Sequence, residues 1–369
     1  MARAPSPGAP ADRPANSLRT LEPTDDLVDA RLALAASVTG EFARAVPVLV
    51  GVVVGSTALR RCSPRADLDL IVVTPEPPGE DRFSTRWIDG TRVEIEWLGH
   101  DDALALTVGD GWVWELRNAA RLGTGVAVFD PHGFGAGLAE RAAAMVPSAE
   151  RYEATLRDVY VALIELGGQA EGEPARRLDA LRGCLDNLAL LALLERPRRY
   201  QKPKWALADL LHAGEHALVD ALLAAYGIDE GDRTVIDRAR ELIDLAYGIA
   251  GVPGHGELLT MGHAPDWAEA SYVSRTLDDA EDLAASGRLM EAQYTAQFSA
   301  RLVAGVLGTE ADTGAGVVDV LARHGLAERY LGLFPEPEGD VDDLLPAALS
   351  AAGDRRRALE AMAAATVPA

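Results

Sequence analysis

The sequence predicts an α+β protein: a small N-terminal α/β unit built on a mixed sheet, followed by a helical bundle. Two observations carry this. Continuous β-branched runs punctuated by turn residues fall within roughly the first 140 residues. Beyond Ser148 the pattern changes to long Ala/Leu-rich amphipathic segments with no comparable strand signal.

Leu27, Val28, Leu32, Leu34, Val38 and Phe42 recur at helical spacing between Asp25 and Ala45, and Pro47 ends that helix. Val48 to Val54 is a strand buried on both faces, broken by Gly55-Ser56. Asp67 to Val73 forms a second strand, closed by Pro75, Pro77 and Pro78. A third, Thr91 to Leu98, follows the turn dipeptide Asp89-Gly90. Helices are expected over Arg151–Ala170, Ala175–Leu194, Trp205–Ala225, Arg233–Ala250, Trp267–Ser286 and Leu289–Leu307. Gly133 to Gly137 reads as turn material because no convincing strand precedes it. The organisation expected is a disordered tail (1–24), an α/β domain (25–147), a helical substrate-binding domain (148–310) and a helical C-terminal extension (311–369).

Composition narrows the function. Apolar content of 48% and charged content of 25% are those of an ordinary globular chain. Lys+Arg 35 against Asp+Glu 57 leaves a net charge of −22, which disfavours a nucleic-acid partner and favours a cationic small molecule, although solubility alone explains such a charge equally well. Two cysteines, Cys62 and Cys184, are too few for a disulfide framework or a zinc site. The pair His212/His216 lacks the Glu of a zinc-protease helix and reads as surface. No membrane span is expected, and the first residues lack the apolar stretch of a signal peptide, so a cytoplasmic protein is expected.

One passage carries chemistry: Val52-Val53-Val54-Gly55-Ser56, ten residues, then Asp67-Leu68-Asp69. Gly55-Ser56 at the end of a buried strand allows close backbone approach to a phosphate. Asp67 and Asp69, at i and i+2, face one side of their strand. Such a pair suits Mg²⁺, which takes oxygen ligands and bridges carboxylates to substrate phosphates. Two-metal sites usually add a third carboxylate from a neighbouring strand, for which Glu94 and Glu96 are the candidates. An isolated Asp-x-Asp is ordinarily a wet edge, but Leu68, Leu70, Ile71, Val72 and Val73 mark this strand as interior.

The pattern hydrophobic-Gly-Ser, about ten residues, Asp-hydrophobic-Asp-hydrophobic resembles the signature of the polymerase-beta-type nucleotidyltransferase superfamily. Phe83-Ser84, Trp87, Gly90, Val93-Glu94-Ile95 and Asp101-Asp102 are similar, in order, to the kanamycin-type aminoglycoside nucleotidyltransferases, and the similarity continues through Phe129-Asp130. The resemblance implies two Mg²⁺ ions on Asp67, Asp69 and Glu94, with Glu96 only a neighbour, and a nucleoside triphosphate as co-substrate. AMP would pass to a hydroxyl of a small cationic molecule bound between the two domains. It also implies a homodimer, and in Leu163-Ile164-Glu165-Leu166-Gly167-Gly168 a general base, Glu165. From the residues alone, Glu165 lies opposite the apolar face of its helix and reads equally as a solvated glutamate. The family has a Lys four residues later, where this chain has Gln169.

The two lysines of the chain stand in Arg199-Tyr200-Gln201-Lys202-Pro203-Lys204-Trp205. Pro-Lys before a helix is similar to the streptomycin/spectinomycin adenylyltransferases, which implies that Lys204 meets nucleotide phosphates. The plainer reading is a basic loop complementing a helix C-terminus. Arg60, Arg61 and Arg65 are further candidates for neutralising the triphosphate. The alternatives are nucleotidylation of a protein or tRNA and a non-catalytic nucleotide-binding regulator. For tRNA the charge from Arg151 to Ala369, 21 basic against 36 acidic, runs the wrong way. Intact carboxylates at all three metal positions argue against the regulator.

Overall fold

The computed structural model describes residues 25–76, 79, 82–109, 112–168, 173–195, 202–261, 265–308, 316–335 and 340–365. The tail 1–24, Gln169 and Arg199 to Gln201 lie outside them. The architecture is α+β, with a small mixed sheet in the N-terminal part and a helical remainder.

The N-terminal part runs α1 (Asp25–Ala43), β1 (Val50–Val53), α2 (Gly55–Ala58), β2 (Leu68–Thr74), β3 (Phe83–Ile88), β4 (Thr91–Gly99), α3 (His100–Ala105), α4 (Val113–Gly123), β5 (Val126–Phe129) and α5 (Phe134–Ala144). The strand order is β3-β4-β2-β1-β5. β2 and β4 pair in parallel, with Asp69 opposite Glu94, and the other neighbours are antiparallel. Alternation sorts the side chains. Leu68, Leu70, Val72, Val93 and Ile95 pack with Val38 and Phe42 of α1 on one face. Ile71, Val73 and Leu98 pack with Ala119, Leu122 and Leu138 of α4 and α5 on the other.

β3 and β5 are additions to the sequence reading. β3 is an edge strand whose side chains are mostly exposed, so it lacks a hydrophobic run, and β5 is four residues long. With β5 in place, Gly133 to Gly137 follows a strand after all. Gly133 takes a left-handed conformation and α5 starts at Phe134, capped by the Asp130 carboxylate, which accepts from the Gly135 N–H at 3.1 Å.

The helical part comprises α6 (Ala149–Gly168), α7 (Pro174–Leu194), α8 (Ala206–His212), α9 (His216–Tyr226), α10 (Arg233–Ala250), α11 (His255–Met261), α12 (Ala268–Ala285), α13 (Leu289–Leu307), α14 (Val317–Arg323), α15 (Ala327–Leu331) and α16 (Val341–Ala365). The single helix expected over Trp205–Ala225 is divided, because Gly214 adopts a φ of +83° between α8 and α9. His212 and His216 therefore lie on different helices, both exposed. One apolar core joins these helices, from Tyr152 of α6 to Ala352 of α16. Within it Arg301 bridges Asp179 and Asp186, with Tyr226 and Tyr330 donating to the same two carboxylates. Cys62 and Cys184 are buried free thiols, and among the described residues no helix is long and apolar enough to cross a membrane.

Candidate active site

At the start of β2 and β4 the sheet face covered by α4 and α5 changes from apolar to acidic. Ile71 and Leu98 are sealed under the helices, whereas Asp69 and Glu94, on the same face, are half-buried and open to a cleft of about 470 Å³. Asp67 sits just before β2, and ligand oxygens of Asp67, Asp69 and Glu94 lie within 4.8 Å of one another. The Asp69 carboxyl is pushed up to about 7, first by burial and then by the charges of Asp67 and Glu94. Three hard oxygen donors converging in one place fit a divalent cation such as Mg²⁺.

The backbone around this cluster is built for close approach. Gly55 has a φ of +67°, and a Cβ there would overlap the Asp69 carboxylate. Ser56 lines the cleft beside it. Asp67 is presented by a loop threaded on a buried arginine: Arg31 of α1 donates to the carbonyls of Ser63 (3.1 Å), Pro64 (3.4 Å), Ala66 (2.5 Å) and Asp67 (3.2 Å). Arg31 occupies the buried stripe of α1 with Val28, Ala35, Val38 and Phe42, where a charged residue needs partners. That position among apolar neighbours was the available signal.

Glu96 is no spare ligand. It is buried and ion-paired to Arg82 at 2.8 Å and Arg121 at 3.2 Å, which leaves Glu94 as the third member of the cluster. Glu94 in turn meets Arg92 at 2.5 Å and Arg275 of α12 at 3.8 Å.

The second wall of the cleft comes from the helical part. Lys202 and Lys204, flanking Pro203 ahead of α8, both line the cleft and share the carboxylate of Asp279, also on α12. Burial alone would raise the Asp279 carboxyl, but the two lysines outweigh it and hold it below the usual range. Lys202 is held above the ordinary lysine value, first by Asp279 and further by Asp67 and Asp69, so it stays charged. Trp205 is buried beside them, with the guanidinium carbons of Arg61 at 5.6 Å and Arg288 at 5.0 Å from its ring centre. Among the described residues, seven cationic side chains line the cleft (Arg82, Arg92, Arg117, Arg121, Lys202, Lys204 and Arg275) against six carboxylates. A cleft with a slight positive excess, in a chain of net charge −22, suits a polyanion bound with metal.

Of the residues singled out from the sequence, the structure brings together Gly55, Ser56, Asp67, Asp69, Glu94 and Lys204. It does not bring Arg60 or Arg65 to the cleft lining: both are exposed, and Arg60 pairs with Asp25. Arg61 is likewise turned away, paired with Asp209 at 2.5 Å and stacked near Trp205, where it joins the two parts of the chain. Glu165 does not line the cleft either. It is exposed on α6, which packs against α7 and α16 and contributes no lining residue.

No family model matches the chain, and no curated protein matches it in sequence. Among solved structures it is similar to a nucleotidyltransferase-like protein from Exiguobacterium sibiricum 255-15, at 13% identity and a TM-score of 0.32, over 80% of this chain and 92% of that one.

Proposed function

We propose that the protein is a Mg²⁺-dependent nucleotidyltransferase that moves a nucleoside monophosphate, AMP by the resemblance, from a triphosphate to a hydroxyl of a small molecule. The observation that carries this reading is the convergence of Asp67, Asp69 and Glu94 at the floor of a cleft whose lining also carries seven cationic side chains. Asp67, Asp69 and Glu94 would hold the metal, which supplies neutralising charge to the reacting phosphate and the departing pyrophosphate.

The chain's own groups do the rest. Gly55, by lacking a Cβ, leaves room for the Asp69 carboxylate beside it. Lys202 and Lys204 offer ammonium charges fixed by Asp279, so the leaving pyrophosphate meets preorganised donors. The acceptor enters between the sheet and α12, where the acidic edge at Asp278, unpaired among the described residues, favours a cationic molecule. Glu165, exposed on α6 and outside the cleft lining, has no part in this reading. The test is incubation with labelled ATP, GTP, CTP and UTP, Mg²⁺, and a panel of aminoglycosides and cell extracts, scored by acceptor mass gain. No gain with any nucleotide, under conditions where the protein is folded and binds Mg²⁺, overturns the reading.

A further inference from the structure

α12 meets the N-terminal part along one stripe. Tyr272, Arg275, Asp278, Asp279 and Asp282 fall within about 120° of arc on an α-helix. Four of them have partners across the cleft or beside it. Tyr272 lies under Arg117, whose guanidinium carbon is 5.7 Å from the ring centre. Arg275 reaches Glu94, Asp279 holds Lys202 and Lys204, and Asp282 accepts from the Ser63 hydroxyl at 2.8 Å. Asp278 makes no hydrogen bond or ion pair among the described residues, although it lines the same cleft. Its Cα stands about 4.5 Å along the helix axis from that of Arg275, so the contacts on either side fix it in the lining of the cleft that also holds Asp67, Asp69 and Glu94.

We propose that Asp278 is the general base of the transfer, a role that rests on the nucleotidyltransferase reading above. Its carboxylate takes the proton of the acceptor hydroxyl while that oxygen forms its bond to the α-phosphorus. The bond from the α-phosphorus to the bridging oxygen breaks, and pyrophosphate leaves with the electron pair. The proton then passes from Asp278 to solvent.

Three features suit Asp278 to this task. It stands outside the group of three carboxylates whose oxygens converge, so its lone pairs are free for a proton. It belongs to the same chain as that group, unlike a Glu165 delivered by another copy. Its carboxyl, though open to the cleft, is pushed up to about 6, first by desolvation from the surrounding protein, then by Asp279, Glu281 and Asp67, with Lys204 opposing. A carboxylate more basic than usual yet ionised at neutral pH is a better proton acceptor for a sugar-type hydroxyl.

The experiment compares wild type with Asp278→Asn, Asp278→Glu and Glu165→Gln. It measures kcat and the nucleotide KM from about pH 5 to about pH 9, with calorimetric binding of a non-hydrolysable ATP analogue in Mg²⁺. Asp278→Asn is expected to lose roughly 10²–10⁴-fold in kcat. Its residual rate should be flat across the acidic limb, where the wild-type rate climbs through about pH 6. Nucleotide KM and analogue affinity should stay within about threefold, Asp278→Glu should recover part of the rate, and Glu165→Gln should keep it. An Asp278→Asn enzyme that keeps its kcat, or loses it together with Mg²⁺-dependent analogue binding, overturns the proposal. So does a Glu165→Gln enzyme that is inactive while Asp278→Asn is not. A wild-type protein that moves no nucleotide to any acceptor overturns the nucleotidyltransferase reading and this proposal with it, an outcome distinct from the other two.

Discussion

Replacing Asp69 by Asn should make the metal-free protein more stable at neutral pH, while removing its response to Mg²⁺. Asp69 is half-buried against Asp67 and Glu94, and its carboxyl is raised to about 7. An ordinary Asp titrates near 3.9. Because the folded-state value lies above the unfolded one, the native protein binds more protons between those values, and stability falls as pH rises through that window. About three units at ~1.4 kcal/mol each sets an upper bound of about 4 kcal/mol. Asp69 is only half-buried, and solvent screening lowers that bound, so roughly 2 kcal/mol of relief is expected from Asp69→Asn near pH 8. At ~2 °C or more per kcal/mol, that is a rise of about 4 °C in Tm. Thermal unfolding in a chelator, followed at about pH 5 and about pH 8, reads this directly: the advantage of the variant should appear only at the higher pH. Mg²⁺ at about a hundred times its Kd should then add about 2.7 kcal/mol to the wild type and little to the variant. A variant less stable than wild type in chelator near pH 8, or equal gains from Mg²⁺ in both proteins, refutes the reasoning.

Gly55→Ala places a Cβ at positive φ against the Asp69 carboxylate. Strain of about 1–2 kcal/mol and a displaced ligand should abolish tight Mn²⁺ binding, as read by titration of the paramagnetic signal. Arg31→Met strands four loop carbonyls. A loss of about 3 kcal/mol or more in urea unfolding is expected, with a higher Mg²⁺ requirement; an unchanged midpoint and metal response would dismiss the loop-holding role. Lys204→Met should raise the nucleotide KM about tenfold or more, the worth of one charged hydrogen bond, and leave the acceptor KM alone in initial-rate assays.

The floor of the site was legible because it is local. A β-branched run, a glycine forced to positive φ and two carboxylates at i and i+2 sit within twenty residues, and backbone periodicity alone aims them. Glu94 needed only the neighbouring strand, and the parallel register sets it opposite Asp69. Of the far wall only Lys204 was legible, because the rest is made by docking. Ser63 and Asp282 are 219 positions apart, and nothing in the Asp278-Asp279 pair announces that its helix face turns toward a sheet rather than water. Arg60 and Arg65 stand outside the lining for the converse reason. They lie near the motif in sequence, but their loop leaves the cleft between the residues that line it.

The lysine content of the cleft has a practical corollary. The chain has only two lysines, Lys202 and Lys204, so both side-chain amines lie in the cleft. Amine-directed labels, which on most proteins scatter over the surface, would here report on one place, apart from the chain's terminal amine. A bound nucleotide should shield that place. Pro203 protects the bond after Lys202, so a lysine-specific protease has a single susceptible bond, Lys204–Trp205. Because Trp205 is buried, cleavage there would time the opening of the cleft.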